Sequence, residues 1–437
     1  MMHELTLNEI AAFQKEFAEN ATNPVKTRAV VRSGVKAASY DSQAASKLNR
    51  TFSIELPTDN VTNQKQSGRC WLFAALNVLR HRFASENKCK NFTFSQDYLF
   101  FWDRIERANM FFDHVLETSD KPLDDREVSF YFHAPDTDGG QWAMAVSLIR
   151  KYGLVPSYAM PESFTANATA DFNHVLNKKL REDGLALRKL AQAGKTDEVE
   201  AARKEFLSEV YRMSVMAFGQ PVTKFDLEFR DDDKNYHLDK DLTPVSFFNK
   251  YFTDDLDDYV VLFNAPDHEF NKLYAIPFED NVQGGSPIQF LNVPIEVLKD
   301  AAIKQMQDGE GVWFGCDVGQ ESDRQSGVLA TGLFKTDELF GIKSGLTKAE
   351  RLATGDSGST HAMTLVGVDV DQGEIRQWKI ENSWGEKVGK KGYFVMSDDW
   401  FNEYLFKVVV RKKYLSKDLV KIAEGPATPV PCWDPMG

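Results

Sequence analysis

Apolar positions recur at helical spacing from Leu7 to Asn20, where an amphipathic, acidic pattern predicts a helix. A Ser/Ala-rich connector follows and ends in TFSIELPTDN. From Asn63 the pattern changes: NQKQSGRC is polar and turn-forming, and WLFAALNVLRHRFA then predicts a largely buried helix. FTFSQDYLFFWDRIERANMFFDHVLETSD predicts a second helix. DGGQWAMAVSLIRKYGLVP opens on paired glycines and runs into a third, closed by Gly153 and Pro156. Between 159 and 285 the character shifts again. KKLREDGLALRKLAQAGKTDEVEAARKEFLSEVYRMSVMAFG predicts a helical hairpin turned by Ala-Gly-Lys, with Thr196 as N-cap and Asp197 and Glu198 complementing the helix dipole. Val199, Phe206, Val210 and Met213 share one of its faces.

A polar acidic stretch, DLEFRDDDKNYHLDKDLT, precedes strand-like segments at VVLFNA, LYAIPF and QFLNVP. The last third is β-rich: GVWFGCDVG, HAMTLVGVDVD, RQWKIENSWG and GYFVMSDDW alternate or run apolar over strand lengths. Beyond Lys413 come Gly425, Pro426, Pro429, Pro431 and Pro435, which predict an extended arm rather than a packed element. The expected units are an N-terminal extension (1–57), a helical subdomain (58–158), a helical insertion (159–285), a β-rich subdomain (286–415) and a C-terminal arm (416–437).

Composition adds exclusions. A formal charge of -13 over 437 residues, with no dense run of Lys or Arg, argues against nucleic acid as a main partner. No stretch approaches the length of a membrane span, and the N-terminus lacks a basic region followed by an apolar one. Four cysteines do not make a disulfide framework, so a reducing cytoplasm is expected.

Cys70 opens an apolar helix, where unpaired backbone N–H groups favour thiolate, the nucleophilic form. Alone among Trp71, Leu72 and Phe73 it would be read as an inert core thiol; the rest of the constellation reverses that. Gln64, six residues upstream, offers an amide donor that, with the Cys70 N–H, could hold the oxygen of a tetrahedral intermediate. His361 begins an apolar strand after the Thr354–Ser359 loop and is the candidate base. Asn382 would accept from its other ring N–H and fix tautomer and orientation. Trp384 would shield that bond from water.

These residues carry a resemblance. Gln64-x5-Cys70-Trp71, STHAMTLVGVD at His361, ENSWG at Asn382 and the pair Gly139-Gly140 resemble, in the same order, the motifs of papain-like cysteine peptidases. SGRCWLF, DGGQW, HAM and the terminal WDPMG resemble the aminopeptidase C and bleomycin hydrolase family in particular, over most of the chain. Two departures from secreted papain-like enzymes stand out. Ser67 replaces the usual first cysteine of their nucleophile segment. His361 follows Cys70 by roughly 290 residues rather than about 130–150, an excess close to the size of the 159–285 block.

The resemblance implies a papain-like α+β fold with two subdomains and a helical insertion, a cysteine peptidase acting on peptides, and no cofactor. It also implies Gly139 and Gly140 as peptide-binding backbone, Trp71 as a supporting residue, and self-association as a homohexamer with inward-facing sites. In that family the C-terminal arm lies in the cleft and its carboxylate meets the substrate's α-ammonium. Gly437 is thereby a substrate-binding candidate. Relatives often continue about three residues further, roughly 10 Å of extended chain. The resemblance implies aminopeptidase action; the shortened arm makes an open-cleft oligoendopeptidase the alternative, with an inactive peptide-binding scaffold the remoter one. Other chemistries lack support. His268-Glu269 has no second histidine of a zinc motif, Asp231-Asp232-Asp233 lacks calcium-loop spacing, Cys89 and Cys316 read as bystander and core, and no metal or phosphate-loop pattern occurs.

Overall fold

A computed structural model describes residues 2–58, 60–252 and 256–437. Its centre is a sheet of twelve strands. From one edge the order is Thr428–Pro429, Lys272–Ala275, Gln289–Asn292, Tyr259–Phe263, Leu405–Arg411, Val312–Cys316, His361–Asp371, Glu374–Glu381, Tyr393–Ser397, Val328–Leu329 and Ser322–Asp323, with Ile54–Glu55 added beside His361–Asp371. The central strands Val312–Cys316 and Leu405–Arg411 are buried along their whole length, because both faces of the sheet are covered.

The helix Cys70–Asn87 crosses one face, over the His361 strand. Trp313 donates its indole N–H to the Trp71 carbonyl at 3.0 Å, and Thr364 donates to the Ala74 carbonyl at 3.4 Å. The helix is buried almost all round over its first three turns, as its apolar sequence predicts. Lys88, in the left-handed region at φ 50, ends it by returning its N–H to the Ala84 carbonyl. Helix Ile295–Gln307 packs on the other side, within the second large apolar cluster.

Several expectations shift on contact with the structure. The helical hairpin is present as Ala170–Gln192 and Thr196–Phe218, but Lys195 is the N-cap and Thr196 the first helical residue. Gly194 at φ 72 completes the turn one residue earlier than predicted, and the Lys195 carbonyl already accepts the Val199 N–H. The acidic stretch is a hairpin, Phe225–Arg230 with Tyr236–Leu242. Its turn is closed by Asp231, which accepts the Asn235 N–H at 2.8 Å. Within the expected helical insertion, 159–285, the strand-like segments VVLFNA and LYAIPF are strands as predicted, Tyr259–Phe263 and Lys272–Ala275, and belong to the large sheet, so the span is not helical to its end. YVVLF, buried at every position, has the two-sided pattern of a central strand.

The segment after Lys413 also differs from the expected unpacked arm. Ser416 caps a helix, Lys417–Ala423, because every proline lies beyond it. Thr428–Pro429 then pairs in parallel with Tyr274 and Ala275. Met436 is buried, and Asp434 bonds His268 at 3.0 Å. By contrast, the helices Leu7–Glu19 and Asn23–Ser33 bury no residue, leaving Leu7, Phe13, Phe17 and Val31 exposed.

Candidate active site

Cys70 is the first residue of its helix, so its N–H and those of the following turn have no intrahelical acceptor. The thiol faces a cavity of about 540 Å³. Gln64, Gly139, Gly140, His361 and Gly437 line the same cavity. Burial pushes the thiol's pKa up, against the backbone N–H groups of Ala362, Trp71 and Cys70 itself, which pull it down. The helix terminus alone therefore does not yield the thiolate expected from the sequence.

His361 is buried at the start of its strand. Its Nε2 lies 3.0 Å from Asn382 Oδ1, and its ring packs on Trp384 at a centroid distance of 4.9 Å. Asn382 is fully buried just past the neighbouring strand Glu374–Glu381. Its Oδ1 also accepts the Ser383 N–H, at 2.8 Å, which fixes which end of the amide faces the ring. An acceptor there requires Nε2 to carry the proton, leaving the lone pair on Nδ1. Burial pushes the imidazole down to about 4, with the Asn382 bond acting against it. Burial thus favours the neutral form of each group taken singly.

Gln64 is also buried, and both ends of its side chain are held. Nε2 donates to the Ser67 carbonyl at 2.6 Å, while Oε1 accepts from Ser383 Oγ at 2.6 Å. The Gln64 N–H donates to the Ser383 carbonyl at 2.8 Å. Ser383 thus connects the amide beside Cys70 with the amide beside His361. Nothing in the sequence marked Ser383 except its place inside ENSWG.

Gly140 lies against the Trp71 indole so closely that an added Cβ would sit 2.6 Å from the ring. Around Gly139 the same atom would meet nothing within 4 Å. Asp138, before the pair, accepts the Gly68 N–H at 2.9 Å and the Asn173 amide at 2.7 Å; Trp71 donates to its carbonyl at 2.7 Å. Burial raises the Asp138 carboxyl, but Arg104 and these donors outweigh it and hold the group below the usual range. The loop before Cys70 is thereby tied to the glycine pair and to helix Ala170–Gln192.

Gly437 stands at the far wall, against Phe278. The discarded candidates lie elsewhere. His268 is occupied by Asp267 and Asp434, Cys89 is buried, and Cys316 is buried as the cross-strand partner of His361. Among the described residues no group of His, Cys, Asp and Glu is arranged to hold a metal ion.

A model of the peptidase C1-like family matches residues 4–437. Aminopeptidase G of Lactobacillus delbrueckii subsp. lactis is 60% identical over 436 residues, covering 100% of both chains. Aminopeptidase E of Lactobacillus helveticus is 57% identical with the same coverage. Aminopeptidase C of Listeria innocua is 44% identical, covering 100% of this chain and 99% of its own. The crystal structure of PepW from Lactobacillus rhamnosis HN001 superposes with a TM-score of 0.98 at 47% identity, covering 100% of this chain and 99% of that one.

Proposed function

This chain belongs to the peptidase C1-like family and is a cysteine-type aminopeptidase with a papain-like α+β fold, in which we propose that Cys70 is the nucleophile, His361 the base and Asn382 its orienting partner. The observation that carries the assignment is the Ser383 link between Gln64 and Asn382, with Gln64, Cys70 and His361 on the wall of one cavity.

His361 Nδ1 takes the thiol proton, and the thiolate attacks the peptide carbonyl carbon. The carbonyl oxygen becomes an oxyanion beside the Cys70 N–H and the second Nε2 proton of Gln64, one of whose amide protons is committed to Ser67. His361 returns its proton to the leaving amine, giving a thioester on Cys70. Water then gives a proton to His361 and attacks the thioester, and the thiolate departs. Trp71 supports the glycine pair from below, and Trp384 covers the His361–Asn382 bond. Gly139 and Gly140 hold the peptide backbone, and Gly437 bounds the cavity on the side of Phe278.

The test compares a peptide bearing a free N-terminus with its N-acetylated twin, read by mass spectrometry. Residue-by-residue trimming of the free peptide alone is expected; cleavage of both at one internal bond contradicts aminopeptidase action.

Assembly and location complete the reading. The two N-terminal helices present Leu7, Phe13, Phe17 and Val31 to solvent, which suits docking on further copies in a homohexamer. Deleting residues 2–33 is expected to lower the mass found by sedimentation; an unchanged hexamer contradicts this role. Four free cysteines suit a reducing cytoplasm. No helix among the described residues is long and apolar enough to cross a membrane.

A further inference from the structure

Lys407 lies fully buried in the strand Leu405–Arg411. Its ammonium is 4.3 Å from the Phe290 ring centroid and 3.0 Å from Gln141 Oε1. Gln141 follows the glycine pair and caps helix Trp142–Tyr152. With its oxygen committed to a cation, its amide must present N–H to the other side, and Nε2 meets Glu279 Oε2 at 2.9 Å. Glu279 is half-buried and lines the Cys70 cavity beside Phe278. Among the described residues, no lysine or arginine forms an ion pair with it. A carboxylate is thus held in fixed orientation at the wall of the reaction cavity, with its counter-charge one amide away.

Position narrows what it could receive. Lys407 pairs with Gly315, and Gly315 pairs with Ala362, the residue after His361. Two strand spacings separate Lys407 from Ala362, roughly 10 Å. Gln141 and Glu279 lie at and beyond the Lys407 ammonium. The α-ammonium of a residue whose own carbonyl is attacked stays two bonds from that carbon, beside Cys70. A lysine or arginine side chain extends roughly 6 Å further, from bonds of about 1.5 Å each. Phe278 and Phe130 meet edge-to-face at 5.4 Å on the same wall, a surface that accommodates an alkylammonium stem and head.

We propose that Glu279, positioned by Gln141 and Lys407, is a specificity-determining carboxylate that receives a basic side chain on the amino-terminal side of the cleaved bond. The inference rests on the reading of this cavity as the active site.

The test measures kcat/KM of the full chain for two peptides differing only in their first residue: lysine, or norleucine of similar length without the charge. Wild type is expected to prefer lysine. Glu279→Gln should lower the lysine-to-norleucine ratio about tenfold, the value of a charged hydrogen bond. Glu279→Lys should lower it further and speed cleavage of a glutamate-led peptide above wild type, a gain that misfolding cannot produce. An unchanged ratio in Glu279→Gln, or an equal fall for both peptides, overturns the proposal. Cys70→Ser is run alongside. If it still cleaves both peptides, the active-site reading itself fails, whatever the Glu279 variants do.

Discussion

Asn382 Oδ1 accepts from two donors at once, the Ser383 N–H at 2.8 Å and His361 Nε2 at 3.0 Å. One backbone donor thereby sets the amide, and the amide sets the histidine tautomer. Replacing Asn382 with Ala removes both acceptor roles and strands two buried N–H groups. The expected loss is roughly tenfold to hundredfold in kcat with little change in KM, and about 1–3 kcal/mol of stability. Asn382→Asp keeps an acceptor in place and should retain more activity than Asn382→Ala. Steady-state kinetics and denaturant melts check both; equal activity of the two variants contradicts the orienting role.

On the proposed mechanism, Cys70 and His361 gain their charges together. Burial raises the thiol and lowers the imidazole to about 4, so the charged form of each is disfavoured on its own. In the wild type, alkylation of Cys70 by iodoacetamide should stay fast well below the usual thiol range. In His361→Ala, burial acts on the thiol without a proton acceptor, and the rate should rise only at alkaline pH. Superimposable rate–pH profiles for the two proteins contradict the coupling.

Ser383 holds Gln64 by donating its hydroxyl to Gln64 Oε1 at 2.6 Å. Ser383→Ala is expected to lower kcat about tenfold while leaving KM near wild type, since it would loosen the proposed oxyanion donor rather than remove it. Gln64→Ala, which removes the proposed donor altogether, should cost about a hundredfold or more. If Ser383→Ala loses as much as Gln64→Ala, positioning through Ser383 is the wrong account.

The adjacent glycines separate packing from binding. Gly140→Ala drives a methyl into the Trp71 ring and should destabilise by about 1–3 kcal/mol. Gly139→Ala finds open space and should leave stability within about 0.5 kcal/mol, yet raise KM by narrowing the peptide's path. Thermal melts and KM values on the two variants decide this. A Gly139→Ala variant with unaltered KM contradicts peptide binding at that position.

The parts of this molecule legible in the sequence are those encoded locally. WLFAALNVLRHRFA has one outcome, a helix buried on nearly every side, and HAMTLVGVDVD and RQWKIE pair as adjacent strands. Cys70, His361 and Asn382 stand out because thiol, imidazole and amide each sit at the boundary of such an element. The connections between them were not legible. Ser383 joins Gln64 across some 320 positions, and Lys407 reaches Glu279 through Gln141; contacts that depend on the folded chain leave no periodic trace. Boundaries erred where short-range signals competed. Gly194 shortened the hairpin turn by one residue, and the prolines after Gly425 masked a capped helix just before them.

The most direct test of the central claim is to treat the enzyme with an aminoacyl chloromethyl ketone and map the adduct by peptide mass spectrometry while following activity. A single adduct on Cys70, rising in step with the loss of peptide cleavage, is the expected result. Full activity with Cys70 modified, or inactivation that tracks a modification of Cys89, Cys316 or Cys432, would contradict it.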